Sequence, residues 1–248
     1  MIKFFALFGM ALVFNACAPE PPTAQSVVDN AIAYAGGEKY LNSIISFDFR
    51  DKSYSVMRKG GLYEMTRTSY VSPDSTIKDI VHNYGFKRAL NDSMISVPDS
   101  MAQRYKASVN SVIYFFLLPY GLNDPSVNKK LLGEVEIKGK EYYKINVWFN
   151  EEGGGEDHDD EFIYWFQKDT YQLDYFAYSY KTDGGGMRFR VAYNQTVQNG
   201  VRYTDYINYK PSSVEVNLQS MDDAYVNGAL TELSRIENDN VSISITDK

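Results

Sequence analysis

Residues 184–209 read GGGMRFRVAYNQTVQNGVRYTDYINY. Within them, Met187–Gln195 and Val201–Tyr209 alternate apolar and polar residues on either side of Asn199-Gly200. A period of two marks a strand with one buried face, and Asn-Gly between two such runs is the signature of a two-residue type I′ hairpin turn. With that turn, Gln198 faces Val201. A regular ladder then pairs Asn194 with Asp205 and Arg190 with Tyr209, so Arg188, Arg190, Asn194, Asp205 and Tyr209 are expected on one face.

Upstream of this hairpin the same pattern repeats. Leu131–Ile137, Tyr142–Phe149, Glu161–Gln167 and Gln172–Lys181 read as strands. Their links are turn-rich: Lys138-Gly139-Lys140, the Gly153–Asp160 loop, Lys168-Asp169-Thr170 and Asp183-Gly184-Gly185-Gly186. Sequential strands with short links form an antiparallel meander. Downstream, Val214–Leu218 is expected as a strand, Asp222–Leu230 as a short helix and Val241–Ile245 as the final strand.

The N-terminal half opens with a helix. Val27, Val28, Ala31, Ile32 and Ala35 form a helical stripe ended by Gly36-Gly37, and Glu38–Ile45 is expected to continue the helical layer. From Ser46 the period changes to two. The run to Val56 and the run Tyr63–Val71 read as a hairpin about Lys59-Gly60-Gly61, and Ile77–Tyr84 with Lys87–Val97 as another about Gly85. Pro98-Asp99-Ser100 then starts a helix whose stripe is Tyr105, Val109, Val112, Ile113, Phe116 and Leu117. Its end, Ile113–Leu118, is apolar all round, so a sheet must cover it. The expected fold is therefore α+β: a single domain over 26–248, with a large curved antiparallel sheet, an open half-barrel, and helices on its concave face.

Composition narrows the function. The chain has 21 Tyr and 14 Phe but only 2 His and 1 Cys. Without Lys3 the balance is 24 basic against 32 acidic residues, a net charge of −8. Such a chain is a poor nucleic-acid binder, because that affinity rests on neutralising phosphates. There is no Gly-x-Ser-x-Gly, no glycine-rich phosphate loop and little histidine for a base or a zinc site. No cofactor is expected, and neither is catalysis.

The helix ended by Gly36-Gly37, the Phe47-Asp48-Phe49 strand and the long meander resemble the fold of the periplasmic lipoprotein carrier and its outer-membrane receptor (LolA/LolB-like). This is a likeness of element order over most of residues 26–248. Residues 184–209 more specifically resemble an uncharacterised lipoprotein family of Bacteroidota, which brings no activity with it. The first resemblance implies that a monomer binds an acyl chain, another hydrophobic ligand or a partner lipoprotein between sheet and helices. The apolar end of the second helix, with Phe116, would then form a cavity wall. The alternative is a calcium-stabilised interaction or glycan-binding module with tyrosines as exposed platforms.

Two polar features bear on these readings. Oxygen-rich loops suit Ca²⁺, and the meander would bring Asp157 and Asp159 of the acidic 151–161 stretch near Asp183. The spacing matches no calcium motif, so a solvated loop is the commoner explanation. Guanidinium groups among aromatic rings suit an anionic headgroup, which makes Arg188, Arg190, Asp205 and Tyr209 candidate ligand residues. An internal ion pair of either arginine with Asp205 or Asp174 is the commoner alternative.

Met1-Ile2-Lys3, the apolar run Phe4–Phe14 and Ala16 before Cys17 have the layout of a secretory signal ending at a cleavage site. Eleven residues are too few to span a bilayer, which takes about 20. The arrangement resembles a bacterial lipoprotein signal: 1–16 removed, Cys17 acylated, and 17–25, rich in proline, serving as a tether. No acidic residue directly follows Cys17, which favours the outer membrane, with the domain on its periplasmic side. Acyl chains contribute about 0.8 kcal/mol per buried CH₂. Cys17→Ser is accordingly expected to move the protein from the membrane to the soluble fraction with its melting transition unchanged. Unaltered fractionation would contradict the assignment.

Overall fold

The computed structural model describes residues 20–155, 158–181, 184–213 and 216–246. Cys17 and the signal lie outside them. Helix α1 (Ala24–Ala35) begins at Thr23, whose hydroxyl accepts from the Ser26 amide while Ser26 Oγ accepts from the Thr23 amide. This reciprocal box satisfies two of the amides that a helix start leaves unpaired. A 3₁₀ turn, Gly37–Asn42, follows. Then come β1 (Ser43–Phe49), β2 (Lys52–Lys59), β3 (Leu62–Ser72), β4 (Ser75–His82), β5 (Gly85–Leu90) and β6 (Ser93–Ile95). Helix α2 (Asp99–Phe116) leads to β7 (Val127–Ile137), β8 (Lys140–Phe149), β9 (Glu161–Gln167), β10 (Leu173–Tyr180), β11 (Gly186–Gln198) and β12 (Val201–Pro211). A short helix, Met221–Val226, precedes β13 (Leu230–Ile236) and β14 (Asp239–Ile245). No helix among the described residues is long and apolar enough to cross a membrane.

The antiparallel α+β architecture is the expected one, but hydrogen bonding divides it into two open sheets of seven strands. Their orders are β14-β1-β2-β3-β4-β5-β6 and β13-β12-β11-β10-β9-β8-β7. Five local readings need correction. The 3₁₀ turn stops at Asn42, so Ser43–Ile45 is strand where the helical layer was expected, and Asn91 and Asp92, both at positive φ, divide the expected strand Lys87–Val97 into β5 and β6. Arg50 takes a left-handed φ of 57° and turns the chain, so the run Ser46–Val56 belongs to two paired strands. Leu218–Ser220 is a 3₁₀ turn where a strand was expected (214 and 215 lie outside the described residues), and Leu230–Ile236 is a strand.

The sheets meet through the helices. Val27, Val28 and Ala31 of α1 pack on Ile145, Val147, Tyr164 and Phe176 of the second sheet. Val109, Ile113 and Phe116 of α2 pack on Ile45, Phe47, Val56 and Val81 of the first. Phe116 stacks on Phe47 at 4.0 Å. The tip of the β11–β12 hairpin is stitched to the first sheet: Asn199 Nδ2 donates to the Ile243 carbonyl at 2.6 Å. Beside it, Gly36 sits with φ 143°, and a Cβ there would lie 3.2 Å from the Gly200 carbonyl and the Val201 Cα. Only glycine allows this approach without strain. Among the described residues every core cluster begins at Ala24 or later, so a chain starting at residue 20 keeps all of these clusters.

A buried charge cluster fixes α2 on the first sheet. Asp79 on β4 has no exposed surface and lies between its direct cross-strand partners, Arg67 of β3 and Arg88 of β5. Arg67 donates to Asp79 Oδ2 at 2.7 Å, and Arg88 donates to Oδ1 at 2.6 Å. Both arginines also reach α2. Arg67 Nη1 donates to Ser108 Oγ at 2.6 Å, and the Arg88 guanidinium lies 3.3 Å from the Tyr105 ring centroid. Removing one partner of a buried ion pair strands the others, at about 3–5 kcal/mol. Asp79→Ala should therefore lower the unfolding free energy by about that amount in a urea titration, far more than loss of the exposed pair Arg235–Glu232.

Candidate functional site

The ridge of α2 that seats on the first sheet turns Tyr114 and Phe115 toward the second. Phe115 stacks on Phe176 at 5.5 Å and lies 5.4 Å from Tyr178. Above this contact, between α2 and strands β8–β11, is a cavity of about 420 Å³. This falls in the range of small-molecule sites, about 300–1,000 Å³. Its walls are Tyr114, Phe115, Phe149, Phe162, Tyr178 and Tyr180. Strand register builds one wall: Phe162 pairs across to Tyr178, which pairs across to Arg188. Gln103, Lys106, Asn110 and Asp160 supply polar groups at the edge.

Two buried phenols here, Tyr114 and Tyr164, are neutral at physiological pH. Tyr114 and Tyr164 share a hydrogen bond of 3.1 Å, and burial pushes the pKa of both up. Among the described residues no histidine or cysteine lines the cavity, and the hydroxyl of Ser111 donates to the Ser108 carbonyl. The lining thus combines six aromatic side chains with polar and charged ones, Arg188 among them, and among the described residues has no nucleophile paired to a histidine base.

A second cavity, of about 200 Å³, adjoins the first, and Ser111 and Phe115 line both. Phe49 and Phe116 form its apolar side, with Arg190, Tyr206 and Asn208 from the second sheet opposite. Arg190 is 8% exposed. Its Nη2 donates to the Tyr178 hydroxyl at 3.0 Å, and its guanidinium lies 4.2 Å from the Phe115 ring centroid.

The expected clustering on β11–β12 is half realised. The Asn199-Gly200 turn pairs Gln198 with Val201 as expected, but a bulge lies between Tyr193 and Thr196, with Asn194 at φ 49°. The extra residue shifts the register by one. Asp205 therefore pairs with Tyr193, Tyr209 with Phe189, and Arg190 with Asn208. Arg188 and Arg190 stay on the helix-facing side. Tyr209 packs on the opposite face, 5.6 Å from Tyr225. Asp205 accepts from the amide and the side chain of Asn238, and its other oxygen from the side chain of Asn194 at 3.3 Å, so that expected contact is kept despite the bulge. Neither arginine forms an ion pair with a described carboxylate, Asp174 and Asp205 included. Arg188 donates to the Met187 carbonyl and lies over the Tyr180 ring. Phe116 divides its contacts between the first-sheet core and the smaller cavity.

Of the acidic loop, Asp157 and Asp183 lie outside the described residues. Asp159 pairs with Lys181 at 3.1 Å, and that hydrogen bond holds its carboxyl below the usual range. Among the described residues no three His, Cys, Asp or Glu gather into a metal-holding group. The wall residues Phe162, Tyr178 and Tyr180 did not emerge from the motif search, although the alternation of β9 and β10 places all three on one face.

In overall shape the chain is similar to a LolA superfamily protein from Nitrosomonas europaea, with a TM-score of 0.49 at 11% identity, covering 92% of this chain and 96% of that one. It is also similar to a DUF1329 family protein from Desulfovibrio piger, with a TM-score of 0.42 at 13% identity over 88% and 92%. A third likeness is to a domain from Vibrio parahaemolyticus described as an outer-membrane lipoprotein-sorting protein, with a TM-score of 0.43 at 8% identity over 82% and 97%. No curated protein matches the chain. Residues 2–238 match the family model described as "Family of unknown function (DUF6503)", and the chain belongs to that family.

Proposed function

We propose that the protein binds an acyl chain, free or carried by a partner lipoprotein, in the larger cavity, without catalysis. Acylated Cys17 would hold it at the outer membrane, with the domain in the periplasm. The observation that carries the reading is the cavity itself: about 420 Å³ between α2 and the second sheet, walled by six aromatic side chains. Burying apolar ligand surface there is favourable by roughly 25 cal/mol per Å², and nothing in the lining is arranged to break a bond.

The placement of the tyrosines weighs against an open glycan platform. Tyr40, Tyr142, Tyr164 and Tyr206 are at most 3% exposed. Among the described tyrosines the strongly exposed ones, Tyr70 and Tyr84, lie on separate strand ends rather than in a row.

The test uses the protein from residue 20 onward and the neutral probe N-phenyl-1-naphthylamine, whose fluorescence rises in apolar surroundings. The probe should bind, and both oleate and a tripalmitoyl-cysteinyl peptide should displace it. Ala107 lines the cavity from α2, so Ala107→Trp should fill the space and weaken displacement at least tenfold. Overpacking should reduce stability by about 1–3 kcal/mol. Displacement by the lipopeptide alone would identify a lipoprotein client. Absence of probe binding, or affinity unchanged in Ala107→Trp, would overturn the proposal.

A further inference from the structure

The buried cations of this protein are not equivalent. Arg67 and Arg88 share Asp79, and Lys144 donates to both oxygens of Asp222 at 2.9 and 2.8 Å. Arg190 is as deeply buried as Arg67, both at 8% exposure, yet pairs with no described carboxylate. Three aromatic rings surround its guanidinium, with centroids 4.2, 5.3 and 5.3 Å away. Such contacts stabilise a cation by about 0.5–2 kcal/mol, against a desolvation penalty of several kcal/mol. Its Nε is buried without a hydrogen-bond partner. Asn208, directly opposite on β12, has a buried Oδ1 that also lacks one. Both residues line the smaller cavity, which has no Asp or Glu among the described residues of its wall and carries a second arginine, the exposed Arg50, at its edge.

Resting on the acyl-chain reading, we infer that the occupant is an anionic amphiphile, with its chain in the larger cavity and a carboxylate or phosphate in the smaller one against Arg190. A guanidinium matches either anion through parallel N–H donors, and an anionic oxygen would satisfy the Nε that the protein leaves free. The Asn208 Oδ1 calls for a donor on the same headgroup. A glycerol phosphate ester has hydroxyls for that place; an ionised fatty acid does not. The two cavities meet at Phe115, so chain and headgroup part at the ring over which Arg190 lies.

Four ligands with one oleoyl chain separate the possibilities by displacement of the neutral probe: oleate, 1-oleoylglycerol 3-phosphate, methyl oleate and 1-oleoylglycerol. The two anions should displace it at concentrations at least tenfold lower than the two neutral compounds, with the phosphate ester the better anion. Arg190→Met should abolish that gap while leaving the neutral ligands within about twofold of the wild type, and Arg190→Lys should restore part of it. Asn208→Leu should remove the advantage of the phosphate ester over oleate. Equal displacement by all four, with good binding of each, would overturn the headgroup inference and leave acyl-chain binding standing. A gap that survives in both Arg190→Met and Arg190→Gln would also overturn it, leaving Arg190 a purely structural residue. Binding of none of the four would overturn the headgroup inference, and would overturn the acyl-chain reading with it only if the tripalmitoyl-cysteinyl peptide also failed to displace the probe.

Discussion

The position of α2 depends on one buried carboxylate. Asp79 pairs with two arginines on its neighbouring strands, and each arginine extends a second contact to the helix, through Ser108 and Tyr105. Three strands and one helix are thereby held in fixed relation by charge-assisted bonds that have no partner in water to exchange with. With the Val109–Ile113–Phe116 ridge seated on the first sheet, the next two residues around the helix, Tyr114 and Phe115, must face the second. The space they leave is the larger cavity. A helix free to roll by one residue would close it.

The two sides of that helix do different electrostatic work. Toward the first sheet both arginines have a carboxylate to pair with, the shared Asp79. Toward the second sheet, the phenols of Tyr114 and Tyr164 stay neutral, and Arg190 is left with rings and a single hydroxyl. One face holds the helix in place; the other sets a cation and an amide oxygen side by side, each with a buried atom left unpaired. Cores keep their polar groups paired, and this unpaired couple lines a cavity.

The hairpin at Asn199-Gly200, the capped first helix and the amphipathic second helix were all legible in the sequence, because each depends on local periodicity and on turn residues of fixed preference. The bulge at Asn194 was not. A non-glycine residue in a left-handed conformation has no strong sequence mark, and one inserted residue moved Tyr209 to the far face and replaced it with Asn208 beside Arg190. The turn at Arg50 escaped for the same reason. Division into two sheets was also hidden, because it is set by which strands pair across long separations rather than by the pattern within any strand. Of the site, the arginines on the inner face were readable from their spacing, while their polar company depended on a register that only the bulge decides.

β1 pairs on one side with β2, its neighbour in sequence, and on the other with β14, nearly 200 residues further on. Asn240 also donates to Asp48 across that junction. Until β14 arrives, β1 presents an open edge of unpaired amides and carbonyls next to the apolar inner face of the first sheet. Pairings so distant in sequence form slowly, because loop closure precedes any gain from contact. Open strand edges are also templates for wrong association. The first sheet therefore cannot be completed as the chain emerges. Its β1 edge stays open through the making of α2 and the entire second sheet, although α2 can cover the inner face beside it before β14 arrives.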